Sequence, residues 1–306
     1  MARAVRFDHY GDRDVLYIAD VDIPSPAAGE VIVKVRAAGI NPGEAAIRSG
    51  ALDKVFPSTF PSGEGSDLAG IIHAVGEGVT AFAAGDEVLG WSETRSSHSE
   101  YTAIPAGQLI PKPAELSWES AGSLYVVGCT AFAAVRAISP KQGETVAVSA
   151  AAGGVGSVVV QLLRTKGAKV VGIASADNHE WLSAHGVVPV SYGDGLAGRL
   201  KAAAPDGIDA FIDLFGPDYV QLAVDLGIPP DRIETIISWE KAAEVGAKTE
   251  GSSDATTTAV LAEMAALVAS GQIEIPIAAS YPLQEVREAF ARLEDRHTHG
   301  KIVLIP

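Results

Sequence analysis

Cysteine is nearly missing from this chain: Cys129 is the only one among 306 residues. An internal disulfide is therefore excluded, and the scarcity fits a reducing compartment, so a cytoplasmic location is expected. Basic residues are also in short supply, 23 Lys and Arg against 38 Asp and Glu, for a formal charge of −15. Acidic surfaces repel a phosphate backbone, which argues against a nucleic-acid partner. The chain has no long unbroken apolar run. Its longest uncharged stretch, Thr145 to Leu163, is interrupted by Gly153, Gly154 and Gly156 and bounded by Lys141, Glu144 and Arg164, so no membrane span is expected. The opening residues, MARAVRFDHYGD, carry charge at Arg3, Arg6, Asp8 and Asp12 and lack an apolar core, so no secretory signal is expected.

What is present is ordinary globular material, 47% hydrophobic and 20% charged, long enough for about two domains. Around the uncharged stretch the pattern is specific. Val146–Val148 reads as a strand, the small residues through Gly156 as a tight turn, and Val155, Val159, Leu162 and Leu163 as one face of a helix stopped by Gly167. Ala150, Gly153 and Gly156 have the spacing of a dinucleotide fingerprint with Ala in place of its first glycine. The N–H groups at such a helix start lack intrahelical partners and sit at the positive dipole end, where a diphosphate docks. A buried strand–helix turn without a ligand would show the same glycines, so the flanking chain has to decide.

From Val5 to about Ser117, short strands such as Glu30–Arg36 and Asp67–Val75 alternate with Pro and Gly turns. The texture changes at Trp118. An Ala-rich helix interrupted near Gly128 is expected over 118–137. Strands at 144–148, 168–174, 187–192, 208–214 and 233–238 then alternate with helices, including 178–185 and 196–204. Alternation of this kind predicts a parallel, doubly wound sheet with its ligand at the carboxyl ends of the strands. Residues 244–254 read as a loop, 259–270 as a helix, 273–277 as a strand, 283–293 as a helix and 301–305 as a last strand.

Several ordered segments resemble the medium-chain dehydrogenase/reductase superfamily, in its zinc-free quinone oxidoreductase branch: Gly29–Pro42, Gly65–Gly90, Ile110–Leu124, the glycine turn, and His299–Pro306. The resemblance implies an α/β protein with a GroES-like β domain, 1–117 plus 272–306, and a Rossmann domain, 118–271, with the nicotinamide in the cleft between them. Zinc-dependent relatives carry Cys where this chain has Asn41 and His-Glu where it has Ser66-Asp67, so no metal is expected. The single cysteine cannot build a Cys-rich structural site, and the seven histidines supply no ligand set.

Gly153, Gly154, Val155 and Gly156, with Ala150, are expected to cradle the diphosphate. Ser175 closes its strand where an acid would bind the 2′-hydroxyl of NAD, which favours NADP (NADPH), with Asn178 and His179 beside the extra phosphate and Asp177 opposing it. By the resemblance, Tyr192 lines the adenosine pocket, Ser238 approaches the carboxamide, and Asn41 and Thr130 contact the ring or the substrate, Asn41 as a donor to a developing oxyanion. Two departures stand out: Ala45, Ala46 and Ile47 replace a tyrosine common after the Asn41 position, and Tyr125 replaces a proline. Cys129 is expected to be a small core residue. The implied activity is zinc-independent hydride transfer from NADPH to a quinone or enone by a homodimer. An enoyl thioester or 2-alkenal reductase, or a non-catalytic NADP-binding structural or sensing protein, stands as the alternative.

Overall fold

The computed structural model describes residues 1–306, which divide into two compact units. In chain order the elements begin with β1 (Ala2–Arg6), β2 (Tyr17–Val21), β3 (Glu30–Gly39), α1 (Pro42–Arg48), β4 (Asp67–Val75), β5 (Glu87–Trp91), β6 (Tyr101–Pro105), β7 (Leu109–Pro111), α2 (Trp118–Ala121) and α3 (Leu124–Ile138). Next come β8 (Thr145–Val148), α4 (Gly154–Thr165), β9 (Lys169–Ala174), α5 (His179–Ala184), β10 (Val187–Ser191), α6 (Leu196–Ala203), β11 (Ala210–Asp213), α7 (Tyr219–Asp225), β12 (Ile233–Thr235) and α8 (Trp239–Val245). The chain closes with α9 (Thr258–Ala269), β13 (Ile277–Pro282), α10 (Val286–Glu294) and β14 (Lys301–Ile305).

The first unit, Met1–Val126 with Thr257–Ala269 and Ile277–Pro306, is the GroES-like β part. Its main sheet runs β13-β14-β3-β4-β5-β7, with β6 pairing β3, and β1 and β2 form a separate ribbon. Where β3 reads Val33-Lys34-Val35-Arg36, the valines are buried and the charged residues exposed, as a strand of period two requires. Val31, Val33, Leu68, Ile72, Val88 and Ile104 close one core. Strand β14 pairs antiparallel with β3, Val303 opposite Gly39, and so brings the carboxyl terminus to Asn41.

The second unit, Val127–Thr256 with Ser270–Pro276, is a parallel sheet in the order β10-β9-β8-β11-β12. The order reverses at β8, the switch point at which a doubly wound sheet binds its ligand. Strand β8 is buried throughout, and in α4 every residue from Gly156 to Leu163 is buried. That burial accounts for the long uncharged stretch.

Three local expectations are corrected. The break in the Ala-rich helix falls at Gly122-Ser123, not near Gly128, which lies inside α3. Gly39 N–H donates to the Gly122 carbonyl at 2.7 Å, and a β-carbon on Gly122 would stand 2.4 Å from the Ala37 oxygen, so β3 presses on the chain there. Residues 273–276 form no strand; β13 starts at Ile277. Ile273 and Ile275 are buried, which explains the pattern, but Gln161 takes over the backbone of Glu274, its Oε1 accepting from the N–H and its Nε2 donating to the carbonyl, both at 2.9 Å. Residues 239–245 are helical, and the loop begins only at Gly246, whose φ of 80° ends α8.

The unit boundaries also differ from divisions after 117 and 271. The segment 118–126 joins the first unit because Gly122 rests on β3 and Asp67 holds Val126. Residues 270–276 join the second because Gln161 and the Trp181 indole, which donates to Glu274 at 2.6 Å, hold them there.

Candidate functional site

In the second unit the chain leaves β8 at Val148 and turns through Ser149–Gly153 into α4. Ala151 N–H donates to the Ile173 carbonyl at 3.0 Å, which stitches the turn to β9. Ala150 takes φ +46°, the left-handed region that costs a residue with a β-carbon about 1–2 kcal/mol. Gly153 is the extended N-cap, and the first helical bond is Ser157 N–H to Gly153 O at 2.9 Å. The N–H groups of Gly154, Val155 and Gly156 therefore precede the hydrogen-bond ladder of α4, at its positive end. Gly156 also has the purely structural role that a strand–helix turn gives its glycines. It is buried, and a β-carbon there would lie 2.1 Å from the Ala150 oxygen, whereas one on Gly153 would meet that oxygen only at 3.2 Å. Gly156 is therefore demanded by the turn crossing the helix, before any ligand is considered.

At the carboxyl end of β9, Ser175 Oγ accepts from Asn178 Nδ2 at 2.9 Å, and Asn178 N–H donates to the Ser175 carbonyl at 3.0 Å. His179 Nε2 lies 3.4 Å from Ser191 Oγ at the end of β10. Ser175, Asn178 and His179 are thus brought together, with Asp177 exposed in the same short turn. Arg199, which no spacing singled out, spans the loop after β10 by donating to the carbonyls of Ser191 at 2.9 Å, Gly193 at 3.0 Å and Asp194 at 2.6 Å. Its guanidinium thus rests on Ser191, whose Oγ faces His179. Tyr192 follows β10 and is half exposed.

A buried polar centre of this unit was also missed. Asp213, wholly buried at the end of β11, accepts from Ser149 Oγ at 2.8 Å, from the N–H groups of Phe215 and Gly216 at 3.0 and 2.9 Å, from Thr235 Oγ1 at 2.9 Å and from Ser238 Oγ at 3.1 Å. One carboxylate therefore ties together the ends of β8, β11 and β12. Ser238 is fixed by it and by its own N–H, which donates to Thr235 Oγ1 at 3.0 Å. Thr130 and Cys129 are buried in α3.

In the first unit, Asn41 caps α1 in a capping box with Glu44 and is almost fully buried. Its Nδ2 donates to Glu44 Oε1 at 3.2 Å and to Asp67 Oδ2 at 3.0 Å, and its Oδ1 accepts from Lys301 Nζ at 2.5 Å. Lys301 also donates to the Ile40 carbonyl at 3.0 Å and to Asp67 at 3.3 Å, which satisfies all three ammonium hydrogens. Asp67 Oδ1 accepts from Val126 N–H at 2.7 Å. Burial pushes the Asp67 carboxyl above the usual carboxylate range against the pull of Lys301. Burial likewise lowers His98, whose Nε2 lies 3.2 Å from the Gly39 carbonyl. Both amide hydrogens of Asn41, the residue expected to donate to a developing oxyanion, are engaged by carboxylates of the fold.

Residues 27–114 match the family model of the alcohol dehydrogenase GroES-like domain, and residues 146–304 that of zinc-binding dehydrogenases. The quinone oxidoreductase of Rattus norvegicus is 35% identical over 227 residues, 70% of this chain and 66% of the rat protein, so that match spans just under two thirds of the relative. The structure of the quinone oxidoreductase from Coxiella burnetii aligns with a TM-score of 0.90 at 29% identity, covering 100% of this chain and 99% of that one. The Escherichia coli quinone oxidoreductase complexed with NADPH aligns with a TM-score of 0.88 at 27% identity, covering 99% and 100%. Zinc, which the second family model names, does not suit the residues around Asn41. Asn41 and Ser66 offer neither thiolate nor imidazole, and the Asp67 carboxylate beside them is already paired with the Lys301 ammonium at 3.3 Å.

Proposed function

The chain belongs to the medium-chain dehydrogenase/reductase superfamily, in its quinone oxidoreductase branch, and on that premise we propose that it is an NADPH-dependent, metal-free reductase of quinones or α,β-unsaturated carbonyl compounds. The observation that carries the nucleotide reading is the start of α4, where three N–H groups precede the helical ladder at the switch point of a parallel sheet. Gly154, Val155 and Gly156 would hold the diphosphate. Ser175, Asn178 and His179, with the Arg199 guanidinium on Ser191 and Asp177 opposing, would hold a 2′-phosphate better than a bare ribose. The NADPH bound in the Escherichia coli relative supports the same choice.

When bound, that cofactor supplies a hydride, two electrons with one hydrogen, and a proton from water completes the reduced acceptor. The protein contributes position and electrostatics. Asp213 fixes Ser238 at the nicotinamide end of the sheet. Asn41 and Thr130 are assigned to the ring and the acceptor. Asn41 can donate to an acceptor oxygen by yielding its longer bond, the 3.2 Å contact with Glu44. A homodimer is part of the same proposal. Oxidation of NADPH assayed against a panel of quinones and enones tests it: turnover with some of them is expected, and tight NADPH binding without oxidation by any acceptor would overturn it.

A further inference from the structure

The first unit carries an aromatic pair beside Asn41 that the assignments above leave unused. Trp91, the last residue of β5, lies opposite Asp67, the first of β4. Its indole stacks on the ring of Tyr125, the second residue of α3, with centroids 5.0 Å apart and planes inclined by 13°. Trp91 is 5% exposed and its indole N–H has no hydrogen-bond partner, so the stack, not a hydrogen bond, holds it. Tyr125 is only half-buried, and the accessible part of the pair is therefore largely its own.

The pair is tied to Asn41 by two short links. Val126, next to Tyr125, donates its N–H to Asp67 Oδ1 at 2.7 Å, and Asp67 Oδ2 accepts from Asn41 Nδ2 at 3.0 Å. Along α1 the residues after Asn41 are Pro42, Gly43, Glu44, Ala45, Ala46 and Ile47, none of them aromatic. The aromatic residue joined to Asn41 through these bonds is therefore Tyr125.

We propose that Tyr125, backed by Trp91, is a specificity-determining platform for flat aromatic acceptors, selecting fused-ring quinones over compact acyclic enones. The inference rests on the reductase reading above. Ring stacking adds to area burial only when the ligand offers an extended π face, so the selectivity is the expected signature.

The test is kcat/KM at saturating NADPH for 9,10-phenanthrenequinone and for methyl vinyl ketone, in the wild type, Tyr125→Leu and Tyr125→Phe. The quinone-to-enone ratio is expected to fall about tenfold in Tyr125→Leu, equivalent to about 1.4 kcal/mol, and to recover in Tyr125→Phe, with the KM for NADPH unchanged. A ratio that stays constant, or a Phe variant as impaired as Leu, would overturn the platform while leaving the reductase reading intact. A wild type that oxidises NADPH with neither compound would overturn both. If Tyr125→Leu does not fold, Tyr125→Trp widens the face and should raise the ratio; a lowered or unchanged ratio refutes the platform.

Discussion

Gly156 and Ala150 meet through a carbonyl: a β-carbon on Gly156 would stand 2.1 Å from the Ala150 oxygen and 2.9 Å from its carbonyl carbon. Backbone lies on both sides of this approach, so a side chain cannot be accommodated by a rotamer change. Gly156→Ala should therefore destabilise the second unit by about 1–3 kcal/mol, as overpacking does, and weaken NADPH binding as a consequence. Gly153→Ala, with 3.2 Å to the same oxygen, should cost much less. Thermal denaturation alongside NADPH titration separates the two; equal melting temperatures for wild type and Gly156→Ala would show that the glycine serves only the ligand.

The parts of the fold that were legible in the sequence are those set by local patterning. The alternation in β3, the boundaries of β4 and β14, and the strand–turn–helix at β8 and α4 follow from side-chain period and turn residues. What escaped is set by partners far along the chain. The break at Gly122 comes from Ala37 on another element, and beyond its near neighbour Glu44 the side chain of Asn41 is held by Asp67 and by Lys301, 26 and 260 residues away. A lone Asp213 after three apolar residues has no periodic signature, although it organises three strand ends. Ile273 and Ile275 mimic a strand because their burial alternates, while the backbone between them is satisfied by Gln161.

Ser175→Asp should reverse the expected cofactor preference. A carboxylate at the end of β9 would repel a 2′-phosphate and accept from a 2′-hydroxyl. The ratio of kcat/KM for NADPH to that for NADH is expected to drop at least tenfold, which is about 1.4 kcal/mol. An unchanged ratio in a variant of normal melting temperature would remove Ser175 from the site.

Glu234, on β12, is fully buried, and burial, reinforced by the charge of Glu250, pushes its carboxyl up to about 9 from 4.5. The folded state thus holds a proton that the unfolded chain releases above 4.5, so this group's contribution is full in acid and declines as the pH rises towards 9. Glu234→Gln should match the wild type near pH 5 and melt progressively higher than it between pH 6 and 9. A difference that does not change with pH would mean the carboxyl ionises normally in the folded protein.

Lys301 and Asp67 offer a test of what replaces metal ligands beside Asn41. The two are 3% and 0% exposed in their side chains and 3.3 Å apart, so removing the ammonium leaves a buried carboxylate with only Val126 N–H and Asn41 to hold it. Lys301→Met should cost about 3–5 kcal/mol, the usual penalty for stranding one member of a buried pair. Asp67→Asn keeps an oxygen for the Val126 N–H but removes the charge, and in combination with Lys301→Met it should recover most of that loss. Unfolding of both single variants and the double variant in urea gives the coupling directly. A coupling near zero would mean that Lys301 is held by the Ile40 carbonyl and Asn41 alone, and that the charge of Asp67 is compensated elsewhere.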